Sequence, residues 1–416
     1  MKRIQALLLT ACIMLTVLSA CADTVPSDLM QNITPSSDQP AKAPRGDIDN
    51  ASVTDFAVRL FQNCMEEGKN TLISPLSVLV ALSMTANGAE ENTLAQMEAV
   101  LGMPVDELNV WIKAYMDGLP VGEKYKLNMA NSIWFRDIES FSVKEDFLQT
   151  NADYYNADIY KAPFDETTRD EINTWVEDNT DGMIKDILNK VPKDVVMYLI
   201  NALAFDAEWM RIYREYEIRD GVFTTEGGIQ KDAEMMYSEE NIYLEDKNAV
   251  GFVKYYANRK YAFAALLPNE GVTVAEYIAG LTGEHLNSLL SNVRYEIVNT
   301  ALPKFEAEYN VEMQKILSDM GMSDAFDAYK ADFSGIGSIE NGILFISRVL
   351  HKTYINVDEK GTKAGAATVL EMSTECAVEI PKEPKKVYLD RPFVYMLIDC
   401  ETNLPFFIGT MMDTEG

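Results

Sequence analysis

An α+β fold in one large domain is the architecture this sequence predicts, and three observations lead to it. Helix-periodic segments cluster early in the chain and strand-like segments dominate later. The two kinds do not alternate as a parallel βαβ sheet would require. No internal repeat and no proline-rich interior linker divides the chain. The length, 416 residues, would by itself suit two or three domains, but without a linker a single domain is expected from about residue 48 to the end. A composition of 47% hydrophobic and 24% charged residues is that of a globular protein with a large core.

The N-terminal residues read as processing and tethering sequence. Lys2 and Arg3 precede an apolar run over residues 4–17, too short for a comfortable membrane span, and Leu18-Ser19-Ala20-Cys21 follows. This resembles a bacterial lipoprotein signal. It implies removal of residues 1–20, acylation of Cys21 and a lipid-anchored place on the bacterial cell envelope, facing the periplasm or the outside. An ordinary secretory signal cleaved nearby is the alternative. Residues 21–47 carry Pro26, Pro35, Pro40 and Pro44 among polar residues without periodicity, which predicts a disordered tether reaching roughly 30 Å.

The formal charge of −29 argues against a nucleic-acid partner, which needs a basic stripe, and disfavours adsorption to an anionic bilayer. Membrane contact is therefore expected through the lipid alone. Of the five cysteines, Cys12 and Cys21 belong to the leader and anchor. The odd remainder, Cys64, Cys376 and Cys400, is no disulfide framework. Cys64 and Cys400 read as small buried hydrophobes and Cys376 as exposed.

After the tether, Val53, Phe56, Ala57, Leu60, Phe61 and Cys64 recur at helical spacing, with Ser52 or Asp49 as the cap and Gly68 beyond the end. Ser74-Pro75 opens a second helix, with proline tolerated in the first turn and Gly88 as the stop. Residues 76–84 are apolar nearly all round, so this helix should be buried. Residues 93–101, closed by Gly102, make a third. Strand-like composition appears at 127–135 and 198–205, separated by a helical stretch at 171–179. Later strands are expected at 261–267, 295–302, 352–358, 393–399 and 406–412.

The segment 359–376 (EKGTKAGAATVLEMSTEC) carries the most information about function. From Thr362, the residues two apart are Thr362, Ala364, Ala366, Thr368, Leu370, Met372 and Thr374, all uncharged, while Lys363, Glu371 and Glu375 share the other parity. Strand side chains alternate faces, so one face of this segment is fit to enter a protein interior. Yet Gly361, Gly365 and the alanines have little apolar area to hold a structure locally. A segment patterned for burial but weak alone predicts a loop with two states; the bland alternative is a small-residue linker.

These blocks, in this order, resemble the serpin family. The resemblance rests on NTLISPLS (70–77), LNMAN (127–131), INTWV (172–176), LINALAF (199–205) followed by Trp209, LPKF (302–305), DEKGT (358–362), RPF (391–393) and FIG (407–409), and it covers essentially all of residues 52–412. It implies three β-sheets, about nine helices and an exposed reactive-centre loop, here about 359–386, that a protease attacks. Serpin loops trap proteases by strand addition: the protease forms an acyl-enzyme with the loop, the cleaved loop enters the central sheet, and the protease is dragged across the molecule and distorted. Inhibition is a race between insertion and deacylation.

The resemblance also implies roles for particular residues. Glu359, Gly361, Thr362, Ala364, Ala366, Ala367 and Thr368 form the hinge. A charge on its inward parity would have to be desolvated during insertion and would slow it; Gly365 departs from the alanine common in inhibitory members, but on the outward parity. Ser74, Ser77, Asn201 and His351 match the hydrogen-bonded cluster beneath the sheet where its strands part, and Trp209 matches the tryptophan where the loop first enters. The family's loop spacing, counted from Glu359, puts the reactive bond between Glu375 and Cys376. The stretch 376–387 is longer than in many members, so Met372, Thr374 and Ala377 remain alternatives.

The implied partner is a serine protease, with a cysteine protease as the alternative, held in a covalent complex, and the inhibitor is implied to be a monomer. No clustered His, Cys or carboxylate spacing suggests a metal, and no phosphate-cradling glycine loop suggests a cofactor. Two rivals stand beside this expectation. A serpin-fold binding protein would not need a charge-free parity in its hinge. A hydrolase would need a nucleophile setting, but there is no GxSxG elbow, and Ser74 before Pro75 reads as a helix cap.

Overall fold

A computed structural model describes residues 26–36, 50–120, 122–340, 342–362 and 383–414. Cys21, hinge residues Ala364, Ala366, Ala367 and Thr368, and reactive-bond candidates Met372, Thr374, Glu375, Cys376 and Ala377 lie outside the described residues.

The first described element corrects the expectation of a disordered tether. Strand β1 (Ser27–Asp28) pairs with Lys161 and Tyr160, and the Leu29 N–H donates to the Ile159 carbonyl. Leu29, Met30 and Ile33 pack against the core. They are the few apolar residues in a polar stretch, and a free sheet edge lies within their reach. The domain therefore gathers in residues 26–36, upstream of the boundary expected at 48.

Helix α1 (Ala51–Cys64) buries the predicted stripe. Its N-cap is Asn50 rather than Ser52 or Asp49. The Asn50 carbonyl accepts from Thr54 N–H while its side-chain amide donates to the Thr402 carbonyl, so Ser52 falls inside the first turn. Strand β2 (Thr71–Ile73) leads into α2 (Pro75–Ala86), buried along its whole length as its all-round apolarity requires. Helix α3 (Glu91–Leu101) ends on Gly102, whose φ of 85° is the left-handed conformation that glycine adopts without a steric cost.

Helix α4 (Val105–Asp117) was not anticipated, although Leu108, Trp111, Ile112 and Tyr115 mark its buried face. The chain continues through β3 (Tyr125–Arg136), β4 (Ser142–Val143), α5 (Glu145–Tyr154), β5 (Asp158–Ala162), α6 (Glu166–Asn179) and β6 (Met197–Glu208). The Asp165 and Thr168 side chains cap the start of α6 reciprocally. Then come β7 (Ile218–Thr224), β8 (Gln230–Glu240), β9 (Tyr243–Glu245), β10 (Ala249–Tyr255), β11 (Tyr261–Pro268), α7 (Val274–Ala279) and α8 (Gly283–Ser291).

Strand β12 (Val298–Pro303) starts three residues later than expected, after a connection that leaves Tyr295 81% exposed. The last elements are β13 (Phe305–Glu312), α9 (Gln314–Met320), β14 (Gly337–Ser338), β15 (Arg348–Val357), β16 (Gly361–Thr362), β17 (Lys385–Tyr388), β18 (Phe393–Asp399) and β19 (Pro405–Met411).

Among the described residues three large sheets result, with a small ribbon of β4 and β14. The seven-stranded central sheet runs β1-β5-β3-β6-β16-β15-β13, a six-stranded sheet runs β2-β19-β18-β11-β10-β9, and a four-stranded sheet runs β17-β12-β8-β7. The main core fills the space between the central sheet, the six-stranded sheet and helix α2. On the outer face of the central sheet, Ile172 and Val176 of α6 pack with Trp134, Tyr198, Ile200 and Leu350. Cys64 is buried as expected, and Cys400 is only half-buried. Burial pushes both thiols up to about 12, so neither is reactive at neutral pH.

Candidate functional site: the divided central sheet

Strand β6 pairs with β3 along its length, from Phe135 opposite Met197 to Tyr125 opposite Ala207. Its other edge is treated differently. β15 runs parallel to it only from Arg348 opposite Tyr198 to Thr353 opposite Leu203. Above that point the strands part. At the top the two residues of β16 lie between them, Gly361 opposite Glu208 and Thr362 opposite both Ala207 and Val357. Among the described residues no pairing joins 204–206 to 354–356. The edges that face each other there offer backbone donors and acceptors suited to an added strand.

The hinge start is held by name. The Thr362 hydroxyl shares a hydrogen bond with the Tyr256 hydroxyl and the residue is 1% exposed, so the parity of Thr362 is the inward one. Gly361 runs against β6 so closely that a Cβ would sit 2.0 Å from the Ala207 carbonyl oxygen; only glycine fits there. The Asp358 carboxylate accepts from the N–H groups of Lys360 and Gly361 and closes the turn. Glu359 pairs with Lys304 at 2.9 Å, and the hydrogen bond from that lysine holds its carboxyl below the usual range. Trp209, 2% exposed, donates from Nε1 to the Asp358 carbonyl and from its backbone N–H to the Lys360 carbonyl.

Lower down, where β6 and β15 still touch, four predicted residues come together. The Ser74 N–H donates to His351 Nε2 at 3.1 Å, and His351 Nδ1 lies 2.6 Å from Asn201 Oδ1. Since Nε2 accepts, the imidazole proton sits on Nδ1 and is donated to Asn201. The Ser77 hydroxyl donates to the same oxygen at 2.6 Å, and Asn201 Nδ2 donates to Asn131 Oδ1 at 2.6 Å. Ser74, Ser77, Asn201 and His351 are fully buried. Burial pushes the imidazole down to about 3, so it is neutral. This cluster crosses the line along which the sheet divides, binding α2, β15, β6 and β3 together.

The same geometry denies Ser74 and His351 the setting of a catalytic pair. The imidazole nitrogen that would take a serine proton is occupied by a backbone N–H, and Ser74 Oγ accepts the capping bond from Ser77 N–H at 3.3 Å.

The family model described as "Serpin (serine protease inhibitor)" matches residues 51–414. This chain belongs to the serpin family. An uncharacterized serpin-like protein of Thermococcus kodakarensis is 31% identical over 373 residues, 88% of this chain and 85% of that protein. The crystal structure of the thermophilic serpin Tengpin in its native state is 47% identical, with a TM-score of 0.87 over 93% of this chain and 99% of that one. The same serpin in its latent state gives 46% identity and a TM-score of 0.78 over 89% and 99%. Over the whole chain, the likeness to the native form is greater than that to the latent one.

Sequence reasoning missed several partners in this site. Lys304 lay inside a recognised motif with no role, Asn131 likewise, and Tyr256 carried no signal. All three act across elements far apart in sequence, which periodicity does not report. Lys304 alone had a legible cue, as a cation between apolar residues at the end of a strand.

Proposed function

We propose that this serpin is an inhibitory one that traps serine proteases, with cysteine proteases as the second target class, as a suicide substrate. The observation that supports this best is the parted central sheet with Thr362 already seated, uncharged face inward, at the top of the opening. The protease's serine Oγ attacks the carbonyl carbon at the reactive bond, the C–N bond breaks, and the new amine leaves with a proton from the protease's general acid. An acyl ester remains. The severed loop then adds as a strand between β6 and β15 before water can reach that ester.

Loop spacing supports the Glu375–Cys376 bond, hence a protease that accepts acidic side chains, with Met372, Thr374 and Ala377 as neighbouring choices. The lipoprotein-like leader supports an acylated Cys21 on a bacterial envelope, where the inhibitor protects surface proteins. The inhibitor acts as a monomer.

Incubation with a panel of proteases followed by denaturing electrophoresis tests the reading. A persistent high-mass band is expected with at least one glutamate-accepting protease, and mass spectrometry of that complex locates the bond. Clean loop cleavage by every protease, with no adduct, would establish the binding-protein reading instead. Fatty-acid labelling lost in Cys21→Ser is the expected result for the anchor.

A further inference from the structure

Strand β10 is apolar except for one cation. Lys254 is 2% exposed, so its side chain is almost wholly withdrawn from solvent. It lies 2.8 Å from Glu240 Oε1 on β8, 4.3 Å from the centre of the Tyr213 ring and 5.4 Å from the centre of the Trp209 ring. Burial disfavours the charge, but Glu240 and Tyr213 outweigh it and hold the group protonated. Glu240 also accepts from the Ser238 hydroxyl, which touches Tyr213 and Thr300. A buried ion pair is an expensive way to fill space, and an apolar pair would pack a strand of this kind.

What sits above the ammonium gives the pair a task. Tyr213 and Trp209 are the residues that hold the hinge turn: Tyr213 N–H donates to the Glu359 carbonyl, Trp209 N–H to Lys360 and Trp209 Nε1 to Asp358. Trp209 also stacks on Tyr256 at 4.3 Å and 9°, and Tyr256 bonds Thr362. Two of these contacts are main-chain hydrogen bonds of the residues that carry the rings, and two, from Trp209 Nε1 and the Tyr256 hydroxyl, come from the rings of an aromatic shelf. The faces of Trp209 and Tyr213 are drawn to the one cation beneath them.

We propose that Lys254 is a positioning residue for loop entry: its ammonium fixes the Trp209–Tyr213 shelf, and the shelf fixes the register in which the loop enters beside β6. The inference rests on the inhibitory reading above. Without the cation the shelf still packs, but the turn at 358–361 samples other registers, and each misregistered start gives deacylation time to win.

The test compares wild type, Lys254→Met and the double variant Glu240→Met/Lys254→Met. Removing the lysine alone strands a buried carboxylate and risks misfolding, whereas replacing both charges by apolar side chains is often neutral for stability. Three quantities are measured: the melting temperature of the resting form, amide exchange of the 358–362 segment, and the moles of inhibitor consumed per mole of protease trapped.

The double variant is expected to melt within a few degrees of wild type, to exchange that segment at least tenfold faster, and to consume several-fold more inhibitor. A double variant with wild-type exchange and wild-type stoichiometry would show the pair to be packing only and overturn the proposal. If instead wild type forms no adduct, the inhibitory reading fails, and unchanged exchange in the double variant then separately decides the fate of the shelf.

Discussion

Thr362 and His351 show how single atoms set the behaviour of the sheet. Thr362 is buried at an inward site, so Thr362→Arg places a guanidinium where its desolvation goes uncompensated. This variant is expected to become a substrate, with inhibitor consumption per trapped protease rising tenfold or more; the adduct-to-cleaved ratio on a denaturing gel reads it. His351 makes a pH prediction. Its folded-state value of about 3 lies below the ordinary histidine value near 6.5. Between those limits the unfolded chain binds a proton that the folded one refuses, so stability is intact above the upper limit and is lost as pH falls through the window. Wild type should lose about 2 kcal/mol more than His351→Gln between pH 7 and pH 5 in denaturant titrations.

At the scale of elements, the docked segment 26–36 and the hinge strand β16 are both held by contacts from distant parts of the chain. Asp153 on α5 accepts from the Ser36 N–H at 2.6 Å, the Ser36 hydroxyl at 3.0 Å and Gln149 at 2.9 Å. Partial burial pushes its carboxyl up, but these bonds outweigh it and leave the group below its usual range. Asp153→Ala should free the end of the segment, with limited proteolysis within residues 26–36 several-fold faster and the cutting rate elsewhere unchanged.

Helices α1, α2 and α3 and strands β3, β6, β11, β18 and β19 were legible because each buries a face whose period shows in the sequence. Strand β7 was not, since Phe223 is its one buried residue and the rest carry no alternation. β1 and β16, two residues each, exist only because a neighbouring edge accepts them.

At the scale of the whole molecule, the upper half of the central sheet is incomplete, and completing it should release free energy. About ten newly paired residues at roughly 1 kcal/mol each would stabilise the cleaved form by on the order of 10 kcal/mol, raising the melting temperature by on the order of 10 °C for a domain of this size. Calorimetry of loop-nicked against intact protein checks this, and an unshifted transition would mean that the sheet does not take up the loop.

The cluster of Ser74, Ser77, Asn201 and His351 was named from motifs alone, and so was Trp209. Its tautomer, its neutral imidazole and its extension to Asn131 were not, because they depend on which strands lie side by side. The order of residues determined the α+β class, the early helices and the charge-free parity of the hinge, since these follow from local periodicity and side-chain chemistry. Only the tertiary structure decided that β6 and β15 part above Thr353, that Glu359 meets Lys304, and that Lys254 lies under Trp209 and Tyr213. Those contacts join residues far apart in the chain, and only packing brings them together.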